Sequence, residues 1–387
     1  MSGTPAIDTV LRQAVESGAV AGVVAMAADA DDTIYQGAFG SRGLASDTPM
    51  TVDTVFWIHS MTKAITATAC MQLVEQGRLD LDAPAASVIP ALAAPRVLEG
   101  FDADGEPMLR PARGTVTLRN LLTHTSGFVY DTWNANQLAY NRKTGCHRLG
   151  SFTDADGVLP LAFEPGSAWH YGPGIDWAGK LLEAVAGSTL DAYMRVHIFD
   201  PLRMMDTGYL VTDRVRGRFA GSHDRTPDGR LISAPFDAPQ DPAQFFGGGG
   251  LFGTAPDYMR FLAMLLHSGE LDGVRVLRPE TVELMGRNHI GDVLVGDMKS
   301  AVPASSNDVS LFPGIAKKWG LSFLINTADV PGGRRAGSLA WAGLRNTYFW
   351  LDPVSHVAGV LMTQALPFAD QPTLDLLDRF ERGVYAL

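Results

Sequence analysis

Residues 59–77 read HSMTKAITATACMQLVEQG, and the first five of them decide how the rest is read. An apolar helical pattern opens here and runs through Ile65, Ala69, Leu73 and Val74 to a stop at Gly77. Positions i and i+3 of a helix share a side, so Ser60 and Lys63 are neighbours. A helix start also offers unpaired backbone N–H groups and positive potential, which suit an alkoxide or an oxyanion. An amine held among apolar side chains is more readily neutral, and a neutral amine is a base toward a hydroxyl. Alone, an SxxK is a pattern that chance supplies, and a serine there also fits a helix N-cap. This one occurs once in the chain, at the head of its strongly apolar helix.

Two more segments extend the reading. Glu164-Pro165-Gly166-Ser167-Ala168-Trp169-His170-Tyr171-Gly172 is a turn entering an aromatic loop, with an apolar helix over about 175–185 behind it. A tyrosine on such a loop shuttles a proton to and from a serine when a neighbouring ammonium stabilises its phenolate. Without that context the same residue simply packs its ring and hydrogen-bonds its hydroxyl. Ser338-Leu339-Ala340-Trp341-Ala342-Gly343-Leu344 reads as a strand. Beside a nucleophile, a strand edge supplies a backbone N–H, and small residues let substrate approach it.

Taken together and in this order, these segments resemble the serine β-lactamase and penicillin-binding-protein superfamily, and within it the class C-like esterases called family VIII carboxylesterases. Ser60-Met61-Thr62-Lys63 matches the first motif. Tyr171 follows the Pro-Gly-x-x-Trp-x-Tyr lead-in, and Trp341-Ala342-Gly343 stands where β-lactamases carry Lys-Thr-Gly. Residues 121–127 (LLTHTSG) and 247–252 (GGGGLF) also look like the family, so the resemblance spans nearly the whole chain. Trp341 puts an apolar wall where a lysine would grip a β-lactam carboxylate, and Pro173 offers no side-chain amide after Tyr171. Lys143-Thr144-Gly145 and Ser305-x-Asn307 read as decoys, because the first precedes Tyr171 in a polar stretch. The GxSxG elbow of α/β-hydrolases is absent.

The two ends of the chain set the fold class. Ile7, Val10, Leu11, Ala14 and Val15 make a first helix stopped by Gly18, and residues 19–28 and 33–39 form a β-hairpin. Residues 320–326, 338–342, 345–351 and 356–363 are short β-rich runs, and a last helix carries Leu374, Leu377, Phe380 and Glu381. The expectation is an α+β, β-lactamase-like fold: an antiparallel sheet built from both termini, flanked by helices, with a mainly helical second lobe. Residues 1–84 and 240–387 would make the sheet lobe, residues 85–239 the inserted helical lobe, and the active site the cleft between them.

At 387 residues with 46% hydrophobic and 19% charged side chains, the chain has material for a sizeable core. A formal net charge of −11 argues against nucleic acid or an anionic membrane as partner. Cys70 reads as core, and with only Cys146 beside it the chain has no disulfide framework or zinc spacing. Asp102 and Asp104 resemble the start of a calcium loop, but Gly105 comes too early, so a plain Asp-Gly turn is the reading. The N-terminus lacks a signal-peptide pattern, which makes a cytoplasmic location the default. His124 is read as structural, and no clustered ligands propose a metal.

The resemblance implies a serine carboxylesterase acting on short- to medium-chain esters through an acyl-Ser60 intermediate, with no cofactor. Lys63, Tyr171 or both accept the serine proton, Tyr171 donates to the leaving alcohol, and the backbone N–H groups of Ser60 and Leu344 form the oxyanion hole. Trp341, Ala342, Gly343, Tyr130 and His170 are the expected substrate contacts, and the partner is a small-molecule ester. An acyltransferase on the same scaffold is the chief alternative. A β-lactamase or D,D-peptidase ranks below it, and a non-catalytic binding relative last. Oligomeric state is not legible.

Overall fold

A computed structural model describes residues 4–44, 46–145, 158–235, 242 and 244–387. Helix α1 (Thr4–Glu16) buries Ile7, Leu11 and Ala14, the apolar stripe of its sequence, and Gly18 follows it at φ 74°. Strands β1 (Gly22–Ala28), β2 (Thr33–Gly43) and β3 (Ser46–Pro49) come next. Five more strands lie near the other end: β4 (Lys317–Trp319), β5 (Leu324–Asn326), β6 (Leu339–Gly343), β7 (Thr347–Asp352) and β8 (Val357–Met362). They form one antiparallel sheet in the order β4-β5-β6-β7-β8-β1-β2-β3. The two termini meet where β1 pairs with β8, Met26 standing opposite Val360. Every residue of β1 is buried, which explains why that strand is a continuous small-apolar run instead of an alternating one.

Alternation along β7 assigns the two faces. Trp350 meets Phe380 of the last helix (Gln371–Val384) at 5.6 Å between ring centroids. Its neighbour Phe349 points the other way and meets Tyr258 of helix Ala255–Leu266 at 5.2 Å. Trp341 lies directly across from Phe349 and shares its face. Ala342 lies across from Tyr348 on the opposite face, toward the last helix.

Between the sheet segments the chain supplies helix α2 (Thr62–Glu75), helix α3 (Gly174–Ala186), shorter helices and a hairpin of Arg96–Phe101 with Pro107–Pro111. Helix α2 is buried on all sides from Thr62 to Leu73. Its threonines tolerate this because Thr68 returns its hydroxyl to the Ala64 carbonyl and Thr66 donates its own to Gly247 O. Burial pushes the Cys70 thiol up to about 12, so it packs as a small apolar group.

Two local readings change in detail. Residues 320–326 are not one strand: Gly320 to Phe323 turn tightly between β4 and β5, with Ser322 at φ 77°. The run expected to start at Arg345 starts at Thr347, because Asn346, at φ 60°, closes a turn back to Gly343. Asp102 accepts from the backbone N–H groups of Asp104 and Glu106 at 2.9 and 2.8 Å, the geometry of a hairpin turn. Lys143-Thr144-Gly145 ends a surface helix, where Lys143 pairs with Glu106 at 2.7 Å and Gly145 takes the left-handed cap. Asn307 ties its side-chain amide to the Ala369 carbonyl at 3.1 Å. Cys146 lies outside the described residues. Among the described residues, no helix is long and apolar enough to cross a membrane.

Candidate active site

Ser60 sits in a single 3₁₀ turn, His59–Met61, immediately before α2. The turn is pinned from several directions. The short strand Val55–Trp57 pairs with Phe252–Thr254, Ile58 N–H donates to Leu251 O, and the Tyr258 hydroxyl donates to Met61 O at 3.0 Å. His59 adopts φ 43°, a region that costs a non-glycine residue energy, at the residue preceding the serine. Gly343 lets β6 lie against this turn, since a Cβ there would fall 2.4 Å from Ile58 O. Leu344 is thereby brought into the pocket that holds Ser60.

Lys63 lies one turn behind the serine and is fully buried. Its Nζ is 3.0 Å from Ser60 Oγ, 3.2 Å from Tyr130 Oη, and hydrogen-bonded to Gly248 O. The glycine run that supplies this carbonyl is anchored twice more. Thr66 Oγ1 donates to Gly247 O at 2.7 Å, and Gly248 N–H donates to Asp176 Oδ1 at 2.6 Å.

Tyr171 takes a different partner from the one its sequence context suggested. Its hydroxyl accepts from Trp341 Nε1 at 3.1 Å, while its ring lies 4.9 Å from Lys63 Nζ. Tyr130 N–H donates to Tyr171 O at 3.2 Å, and the two rings stand 5.2 Å apart. This pairing explains Gly172, where a Cβ would fall 1.9 Å from Phe128 O. Trp341 also packs edge-on against Trp319 at 4.7 Å, completing an aromatic cluster beneath Tyr171.

The pocket has a volume of about 210 Å³ and contains Ser60, Tyr130, Tyr171 and Leu344 in its lining. Trp57, Trp133 and Phe246 give it an apolar wall. His59 also lines it, stacked on Trp57 at 4.4 Å. Burial, with the positive charges of Arg345 and Lys63, holds the His59 imidazole well below its usual range and so neutral.

Four expected contacts fall outside the pocket lining, among them Gly343, which packs on Ile58. His170 is outside the pocket lining, with Nδ1 3.3 Å from Tyr171 O, and burial lowers its pKa. Ala342 lines a separate cavity on the far face of the sheet, beside the last helix. Trp341 reaches the site through Tyr171 and does not line the pocket itself. His124 is buried against Tyr171, Trp169 and Trp319, and accepts from Gly172 N–H at 3.3 Å. Among the described residues no group of three or more His, Cys, Asp or Glu is placed to hold a metal ion.

Asp176 also lines the pocket, and no sequence pattern singled it out. An acid in the first turn of a helix ordinarily reads as a complement to the helix dipole, so nothing drew attention to it.

Known proteins resemble the chain along its whole length. A family model described as Beta-lactamase matches residues 7–381. Lovastatin esterase of Penicillium rubens is 33% identical, over 98% of this chain and 98% of its own. Monacolin J acid methylbutanoyltransferase of Aspergillus terreus is 34% identical, over 98% of this chain and 95% of its own. Among solved structures, the LovD6 mutant of simvastatin synthase from Aspergillus terreus superposes with a TM-score of 0.83 at 32% identity, covering 99% of this chain and 96% of that one. A match from residue 7 to residue 381, on a chain whose sheet is built from both termini and whose SxxK heads a buried helix, makes this protein a member of the Beta-lactamase family.

Proposed function

We propose that the protein is a serine carboxylesterase of the family VIII kind, hydrolysing short- to medium-chain esters through an acyl-Ser60 intermediate in a cleft between sheet lobe and helical lobe. The observation that carries this reading is the contact of 3.0 Å between the buried Lys63 Nζ and Ser60 Oγ, at an apolar-walled pocket that Ser60 lines. To act as base toward Ser60 the Lys63 amine must first release a proton, which leaves it two N–H donors and one lone pair. Gly248 O accepts one donor, and Tyr130 Oη at 3.2 Å takes the other. The lone pair is then left for the hydroxyl of Ser60, which is what a general base requires.

Tyr171 completes the cycle as acid and base toward the leaving alcohol and the incoming water. Because Trp341 Nε1 donates to its oxygen, the phenol's own proton is left to point into the pocket. The backbone N–H groups of Ser60 and Leu344 receive the oxyanion, each such donor being worth about 10²–10³ in rate. A pocket of about 210 Å³ suits a short acyl group. Trp341 in place of a cationic residue disfavours β-lactam and peptide carboxylates.

A second reading, acyl transfer to an alcohol, is favoured by the likeness to a methylbutanoyltransferase. Both readings share the acyl-enzyme. The test is hydrolysis of p-nitrophenyl esters of graded chain length, a chromogenic cephalosporin, and ester plus competing alcohol, each alongside Ser60→Ala. Ester turnover abolished in Ser60→Ala is the expected result. Ester turnover unchanged in that variant rejects the nucleophile, and efficient cephalosporin turnover without ester turnover rejects the esterase reading.

A further inference from the structure

We infer that Asp176 is a positioning residue of this active site, its carboxylate fixing the glycine run that holds Lys63 at Ser60. The inference rests on the proposed Ser60–Lys63 chemistry and deepens it. Asp176 is 2% exposed, and among the described residues it is the one acidic side chain lining the pocket. Its Oδ1 accepts from Gly248 N–H at 2.6 Å, and the carbonyl of the same residue accepts from Lys63 Nζ. One residue, Gly248, therefore links the carboxylate to the base, through its N–H on one side and its carbonyl on the other.

The fit of the loop against Asp176 is tight. A Cβ on residue 248 would sit 2.9 Å from each carboxylate oxygen and 3.0 Å from Tyr130 Oη, so only glycine leaves all three groups in place. Asp176 Oδ2 is buried with no hydrogen-bond partner among the described residues. An acid held that way is retained at a cost in desolvation, which a purely structural contact would avoid with an asparagine.

The charged and titratable groups around Asp176 come from several elements. Lys63 faces it from α2, Lys180 lies one turn further along α3, and the phenols of Tyr130 and Tyr209 approach from the loops. Burial pushes the carboxyl up to about 6, against the opposing pull of Lys63, the Gly248 N–H and Lys180. The group is thus ionised above that pH and protonated below it. A carboxylate accepts an N–H more strongly than a neutral acid, so the grip on Gly248 weakens as pH falls through about 6.

The test compares kcat and KM from pH 4.5 to 9 for the full chain and for Asp176→Asn, Asp176→Ala and Ser60→Ala, with thermal melts to confirm folding. Asp176→Asn keeps an acceptor for Gly248 and loses the charge. Its kcat should fall about tenfold at pH 8 with KM within about threefold, and its profile should lose the acid limb near pH 6. Asp176→Ala removes the acceptor and should cost about 100-fold. An Asp176→Asn enzyme with unchanged kcat and an unchanged acid limb overturns the inference while leaving Ser60 and Lys63 standing. Turnover that survives in Ser60→Ala overturns both.

Discussion

Two tyrosines share the pocket, and exchanging each for phenylalanine separates their roles. Tyr171→Phe keeps the ring against Tyr130, Trp133 and Trp341, at 5.2, 5.3 and 4.8 Å between centroids, and removes only the hydroxyl that Trp341 contacts. If that hydroxyl is the acid–base group, kcat/KM should fall by about 10²–10⁴. Tyr130→Phe instead takes away the oxygen 3.2 Å from Lys63 Nζ. A hydrogen bond to such an ionisable group is worth about 1.5–3 kcal/mol, or roughly 10- to 150-fold in rate. Tyr171→Phe should therefore be the slower enzyme. Trp341→Phe should cost about fivefold in the native background, the loss of one neutral hydrogen bond. In the Tyr171→Phe background it should cost nothing, because its acceptor is already gone. The assay is kcat/KM for p-nitrophenyl butyrate, with the pre-steady-state burst read alongside it. Tyr171→Phe within about threefold of native activity, with Tyr130→Phe down by about 10³, would exchange the two roles and reject the mechanism as drawn.

Two other substitutions test the frame around the site. Gly172→Ala places a methyl 1.9 Å from Phe128 O and 2.7 Å from Val129 Cα, backbone atoms that no side-chain rotation can clear. It should destabilise the fold by about 1–3 kcal/mol and depress turnover by parting Tyr130 from Tyr171, as read by urea unfolding and ester assay together. Glu381→Gln breaks a pair in which the Arg334 and Glu381 side chains are 3% and 8% exposed. Removing one buried partner should cost about 3–5 kcal/mol in unfolding free energy with kcat nearly unchanged, and a loss below about 1 kcal/mol would refute the account of that pair.

What the sequence made legible is what local periodicity encodes. The apolar helix behind Ser60, the first and last helices and the terminal strands are each written in a window of about a dozen residues, the range over which side-chain spacing reports burial. The Gly320–Phe323 turn was missed because two strands of three residues each, joined by a tight turn, leave an apolar run that looks like one strand. The contacts of Tyr130 with Lys63 and of Asp176 with Gly248 span 67 and 72 residues of chain. No short pattern reports such separations. Tyr130 reaches Lys63 because Gly172 allows Phe128 and Val129 to approach it, and a glycine after a tyrosine carries no signal of which backbone it will admit.

Hydrolysis and transfer on the proposed chemistry diverge only after acyl-Ser60 has formed. Water attacks without a dedicated site, whereas an alcohol prevails by being held in a near-attack position at high effective concentration. The groups proposed to make the acyl-enzyme, Ser60 with Lys63 behind it, are indifferent to that choice. The walls are not: Trp57, Trp133, Phe246 and Leu344 are the apolar surfaces against which an alcohol could be held. A substitution in those walls should therefore change the ratio of transfer to hydrolysis while leaving acylation of Ser60 nearly unaltered. A substitution at Lys63 should slow both together. On the proposed chemistry, product choice would follow from the pocket lining, and the esterase and transferase names carried by its relatives are compatible with one catalytic machinery.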